Sequence, residues 1–193
     1  MAIESGAKII GMPGVDPVFA RMRVEAEEVL KNEPGFAGFI YGTVLNHATL
    51  CSAVAHRIAD RLDHQTVSGD LILQAYRDVI ARDPSIPKAM QADILAVVDR
   101  DPACHRLIEP LLYFKGFQAI QTHRLAHALW NAGRRDFALY LQSRSSSVFQ
   151  CDIHPAAQIG KGIFLDHATG LVVGSTAVIE DDVSILHSVT LGG

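Results

Sequence analysis

The last quarter of the chain carries a hydrophobic period that neither a helix nor an ordinary strand produces. Ile153, Ile159, Leu165, Leu171, Ala177, Val183 and Val189 recur every six residues, each of them small or branched and aliphatic. A hexapeptide period predicts a parallel β-helix, in which each unit forms one flat face and its aliphatic residue points inward. Three faces close one turn, so residues eighteen apart are expected to stack: Ile153 beneath Leu171 and Val189, Ile159 beneath Ala177, and Leu165 beneath Val183. Asp166, His167, Ala168 and Thr169 interrupt the apolar pattern, and Gly160, Gly162, Gly170 and Gly174 mark tight corners, so polar groups there face outward.

Upstream the period lengthens to that of a helix. Residues 1–14 have glycines and a proline without any period, which predicts a loose N-terminus. Asp16-Pro17 then reads as an N-cap with proline at the first helical position, followed by the apolar stripe Phe19, Met22, Ala26, Val29 and Leu30 and a stop at Pro34-Gly35. The spacing of Phe39, Ile40, Val44, Leu50, Val54, Ile58 and Leu62 predicts a second helix from Phe36 towards Leu62, with Gly38 and Gly42 in its first turns. Further helices are predicted over Ser68 to Arg82, Pro87 to Val98, Leu107 to Phe114, Phe117 to Trp130 and Phe137 to Phe149, separated by proline or glycine turns. Ser145, Ser146 and Ser147 mark the exit from helix, because short hydroxylated side chains compete for helical backbone bonds. The fold class is therefore α+β: an all-helical domain over residues 1–147, then a hexapeptide-repeat parallel β-helix of about two turns over residues 148–193.

Composition changes this picture little. At 193 residues, 49% hydrophobic and a net charge of −4, the chain is an ordinary soluble protein with a cytoplasmic expectation: it has no basic run for nucleic acid, no apolar run for a membrane and no signal pattern. Cys51, Cys104 and Cys151 are scattered and odd in number, which predicts buried thiols rather than disulfides or a thiolate metal site. His123 and His127 share one helix face at i and i+4, but no third ligand has a recognisable spacing; helix packing is the expected role, and no metal site is predicted.

Three motifs carry a family resemblance. Asp99-Arg100-Asp101-Pro102-Ala103, then Pro110-Leu111-Leu112-Tyr113-Phe114-Lys115-Gly116-Phe117, then Asp152-Ile153-His154-Pro155-Ala156-Ala157 running on to Leu165-Asp166-His167-Ala168-Thr169-Gly170 closely resemble bacterial serine O-acetyltransferases in sequence, order and spacing. The resemblance implies a left-handed β-helix, homotrimers that pair through the helical domain into hexamers, and transfer of acetyl from acetyl-CoA, a co-substrate, to the hydroxyl of L-serine on the way to cysteine. It also implies that the chain is truncated. Relatives continue past Gly193 with further turns, with an arginine and a histidine that help hold serine, with most of the CoA-contacting surface, and with a tail that docks into O-acetylserine sulfhydrylase.

By the same resemblance His167 is the catalytic base, Asp152 the carboxylate that orients it, and Asp101 and Asp166 the carboxylates that bind serine. The chemistry fits each role. Histidine titrates near neutral pH, and an ammonium group calls for an anionic partner. Read alone, the same residues have plainer uses: a surface histidine, a turn aspartate at 152, an N-cap at Asp101-Pro102 and a turn bond at Asp166. An eighteen-residue stack would put Asp152 beneath Gly170, about 10 Å along the strand from His167, so a corner would have to shorten the path. His154 and His187 receive no role. Gly174-Ser175 stands where some relatives have glycine and glutamate, an expected difference in regulation. Three other readings remain open: a hexapeptide acyltransferase with a different hydroxyl acceptor, a zinc-dependent hydratase, and a non-catalytic assembly core.

Overall fold

The computed structural model describes residues 16–192; the expected loose N-terminus at residues 1–14 lies outside them. Among the described residues, helices α1 (Pro17–Asn32), α2 (Ala37–Ile40), α3 (Leu50–Leu62), α4 (Gly69–Arg82), α5 (Ser85–Arg100), α6 (Ile108–Tyr113), α7 (Lys115–Asn131) and α8 (Arg135–Phe149) precede seven short strands. No described helix is long and apolar enough to cross a membrane.

The start of α1 is as expected: Asp16 Oδ1 accepts from Val18 N (2.9 Å) and Phe19 N (3.3 Å), and Pro17 opens the helix. The single helix expected from Phe36 to Leu62 is instead broken. After α2 the segment Tyr41–Leu45 widens into a turn of i to i+5 bonds, and α3 starts afresh from Thr49, whose hydroxyl accepts from Ser52 N. Gly38 and Gly42 weaken helix there, and the carbonyls the break frees find other donors. Arg23 of α1 donates to Leu45 O (2.9 Å) and His47 O (3.0 Å), while the His47 ring spans the gap from Gly42 O to Ser52 Oγ, 2.9 Å to each. At the other end, α8 runs through the three serines to Phe149. Ser147 Oγ donates to the Ser143 carbonyl within the helix (3.0 Å), so the hydroxyl uses helical geometry instead of ending it; Gln150, at φ 60°, makes the turn.

The strands β1 (Cys151–Ile153), β2 (Gln158–Ile159), β3 (Phe164–Leu165), β4 (Leu171–Val173), β5 (Val178–Ile179), β6 (Ser184–Ile185) and β7 (Thr190–Leu191) stack as three parallel sheets, β1-β4-β7, β2-β5 and β3-β6. The expected eighteen-residue stacking fails in the first turn. Ile153 pairs with Val173, Ile159 with Ile179 and Leu165 with Ile185, twenty residues apart; only between β4 and β7 does Val173 pair with Leu191, eighteen apart. Two extra residues in the corner between Leu165 and Leu171 cause the shift. The six-residue period survives because each unit has two inward positions two residues apart: Leu171 and Val173 are both buried. At Leu171 the period passes from one inward row to the other.

Helices and coil share one continuous core, with Phe149, Cys151, Leu165 and Ala168 packed alongside helical residues such as Leu111 and Phe117. A buried polar joint reinforces it. Asp93 of α5 is wholly buried and accepts from Arg124 Nε (2.9 Å) and Nη2 (2.7 Å), from Gln121 Nε2 (2.8 Å), and from Ile163 N of the coil (2.9 Å). Arg124 in turn donates to the Gly160 carbonyl (2.7 Å), so one ion pair ties two helices to the coil backbone.

Candidate active site

The corner that shifts the register also carries the expected base. Asp166 N donates to Ile185 O (2.8 Å), which fixes the entry to the corner, and the chain then turns through His167 (φ 56°), Ala168 (φ 64°) and Gly170 (φ 78°). Two consecutive non-glycine residues in left-handed backbone need support. Ala168 is fully buried, Gly170 N donates to Gln150 O (2.9 Å), and Ser188 N donates to Thr169 O (2.8 Å). The fold thus holds the His167 backbone while leaving its side chain 72% exposed.

Against this corner lies the start of α7. Gly116 has no side chain because a Cβ there would overlap the Leu165 carbonyl oxygen. Between them opens a cavity of about 420 Å³ lined by Asp101, Tyr113, Phe114, Lys115, Asp166 and His167 among others. Three of the four expected site residues therefore meet in one cavity. Asp166 Oδ2 lies 3.5 Å from His167 Nε2. Asp101 follows α5 rather than opening a helix, and its Oδ1 accepts from Ala103 N (2.8 Å) in the turn. The fourth, Asp152, is elsewhere: it pairs with Val172 rather than sitting beneath Gly170, and its Oδ1 accepts from Gln142 Nε2 (2.6 Å). Among the described residues the carboxylate paired with the imidazole is Asp166.

Two residues at the site had no role in the sequence. His187 faces His167 edge to face, ring centroids 5.9 Å apart. The twenty-residue register puts 187 over 167, whereas an eighteen-residue stack hides the pairing. Lys115 donates to Gln150 Oε1 (3.1 Å) and Thr169 Oγ1. His154 and His127 are held by contacts within the fold. His154 Nδ1 accepts from Ala156 N (3.0 Å) and its ring meets Trp130. A larger cavity, about 560 Å³, lies between the α4–α5 turn and α7 and includes His123 and His127, but none of the expected site residues. His127 Nδ1 donates to Pro155 O (2.8 Å) and its Nε2 accepts from Asn131 (2.9 Å); burial above all, with the neighbouring His127 ring and the Arg124 charge, pushes His123 down to about 3, so it stays neutral. No group of three His, Cys, Asp or Glu among the described residues could hold a metal ion. The cysteines are free thiols; Cys104 and Cys151 are buried, which pushes both up to about 12, and Cys51 is half-buried. Gly174-Ser175 lies in the turn after β4, outside the lining of the site cavity.

A family model described as "Serine acetyltransferase, N-terminal" matches residues 18–122. The serine acetyltransferase of Salmonella typhimurium is 49% identical over 91% of this chain. The chain belongs to the serine acetyltransferase family. It spans 64% of the length of that relative. Among solved structures, the Brucella abortus serine acetyltransferase in complex with coenzyme A is 58% identical with a TM-score of 0.90, over 91% of this chain and 70% of that one. The soybean serine acetyltransferase complexed with serine is 45% identical with a TM-score of 0.87, over 90% of this chain and 71% of that one. The stacked strands are accordingly turns of the left-handed, hexapeptide-repeat β-helix of serine acetyltransferases.

Proposed function

We propose that the protein transfers acetyl from acetyl-CoA to the hydroxyl of L-serine. The observation that carries this reading is the single cavity gathering Asp101, Asp166 and His167, in a chain whose relatives include one with coenzyme A and one with serine bound. His167, as general base, takes the hydroxyl proton while the serine oxygen bonds to the thioester carbon. The tetrahedral oxyanion then collapses, the C–S bond breaks, and the imidazolium returns the proton to the departing thiolate. A positioned base of this kind contributes about 100-fold to 10,000-fold. Asp101 and Asp166 attract the substrate ammonium. Asp152 enters this reading through the motif resemblance alone, as a carboxylate to orient the imidazole; its Oδ1 accepts from Gln142 Nε2, and the carboxylate beside His167 is that of Asp166.

The reading includes a division of labour at about residue 147, with helices for assembly and coil for chemistry, and an assembly of trimers, paired into hexamers, in the cytoplasm. Val172, Val178 and Leu186, exposed on the outer faces of the coil, support contact between copies. Most CoA contacts, and docking to O-acetylserine sulfhydrylase, are assigned to sequence outside this chain. The test is serine-dependent release of CoA thiol by the full-length protein, with other amino-acid and sugar hydroxyls as competing acceptors. Transfer to another acceptor at higher kcat/KM, or none to serine, overturns it.

A further inference from the structure

We propose that Lys115 is a positioning residue that straps the corner bearing His167 to the helical part of the protein, an inference that rests on the reading of His167 as the base. The corner passes through left-handed backbone at two successive non-glycine residues, a conformation that persists only where the surroundings over-determine it. Most of its supports come from the coil itself. The exception is the N-terminus of α7, which grips the corner twice: the backbone of Gly116 presses on the Leu165 carbonyl at the entry, and the Lys115 ammonium holds Thr169 Oγ1 at the exit. The same ammonium donates to Gln150 Oε1, 3.1 Å away, so it also ties down the left-handed turn that starts β1 and whose carbonyl receives Gly170 N.

Lys115 has no ion pair among the described residues. Its charge is directed at neutral oxygens, which is what a strap requires and charge balance does not. Its position in the cavity wall also poses the alternative: the cavity lining includes no other lysine or arginine, and an amino-acid substrate carries a carboxylate.

The two roles separate by a double-mutant cycle of Lys115→Met and Thr169→Val in the full-length enzyme, with amide hydrogen exchange on each variant. For the strap, each single change lowers kcat by about 10-fold to 100-fold, the scale of a small misplacement of a reacting group, and leaves both KM values within about 3-fold. The double variant falls no further than the worse single by more than about 3-fold, because both remove one interaction. Lys115→Arg restores most of kcat. Exchange at Gly170 and Ser188 accelerates in Lys115→Met, while exchange at Ile163, in the Asp93 joint, does not. A rise in KM for serine with kcat unchanged would make Lys115 a substrate ligand and overturn the strap, as would unaltered exchange at Gly170 and Ser188. Should the unsubstituted enzyme transfer nothing to serine, the functional reading fails and the exchange result alone decides on Lys115.

Discussion

Two of the joints between the helices and the coil are built on opposite principles. At Asp93 and Arg124 a buried ion pair has each carboxylate oxygen and most guanidinium donors engaged, including bonds to Ile163 N and the Gly160 carbonyl. At Lys115 an accessible ammonium touches neutral groups on a corner whose central imidazole is open to solvent. Burial makes the first joint costly to break. Exposure makes the second cheap in stability and expensive only in geometry. The fold thus separates the residues that keep it together from those it leaves open at the cavity.

That separation can be broken from either side. The largest expected effect is Asp93→Ala, which strands a buried guanidinium together with the Gln121 amide and Ile163 N–H; unfolding in urea should show a loss of about 3–5 kcal/mol. A loss under about 1 kcal/mol would mean that water enters the joint. Next comes His167→Asn, chosen because asparagine tolerates the left-handed backbone. Turnover should fall about 100-fold to 10,000-fold, with the urea midpoint unmoved. A large shift in the midpoint would erase the contrast between the joints.

The pH dependence sharpens the comparison on the buried side. His123 is held far below its ordinary value of 6.5, down to about 3, by burial above all. The unfolded chain therefore takes up a proton that the folded protein refuses. Stability should drop as pH falls from about 6.5, by up to about 1.4 kcal/mol per pH unit, until the folded histidine itself protonates near pH 3. His123→Leu should flatten that limb in urea titrations between pH 6.5 and 4.5; an unchanged limb would assign the acid sensitivity to other groups. The smallest effect belongs to a third, exposed contact, Arg100 to Asp182 at 3.3 Å, where Asp182→Asn should cost less than about 1 kcal/mol and less still in high salt.

What could be read in advance follows the same division. Inward positions announce themselves by period, so the helical stripes of α1 and α3 and the repeating aliphatics of the coil were legible. Breaks were not, because their cause is tertiary: the interruption between Ile40 and Leu50 is affordable only since Arg23 and His47 capture the released carbonyls. The serines before Phe149 misled for the converse reason, since Ser147 finds its partner inside the helix. At the site, Asp101, Asp166 and His167 were identified through motif resemblance and the cavity brings them together, whereas His187 and the true neighbours of Asp152 depended on a register that the period conceals.

That concealment has a wider consequence. A reading frame in nucleic acid tolerates insertions of three, and a hexad with two inward rows tolerates insertions of two: the rhythm downstream continues unbroken while every partnership across the turns is reassigned. Insertions of this length are silent to any comparison that scores only the beat. Here the silent pair of residues falls in the corner that carries the exposed His167 imidazole, so in chains of this kind the spot where strand pairing slips is a sound first place to search for chemistry.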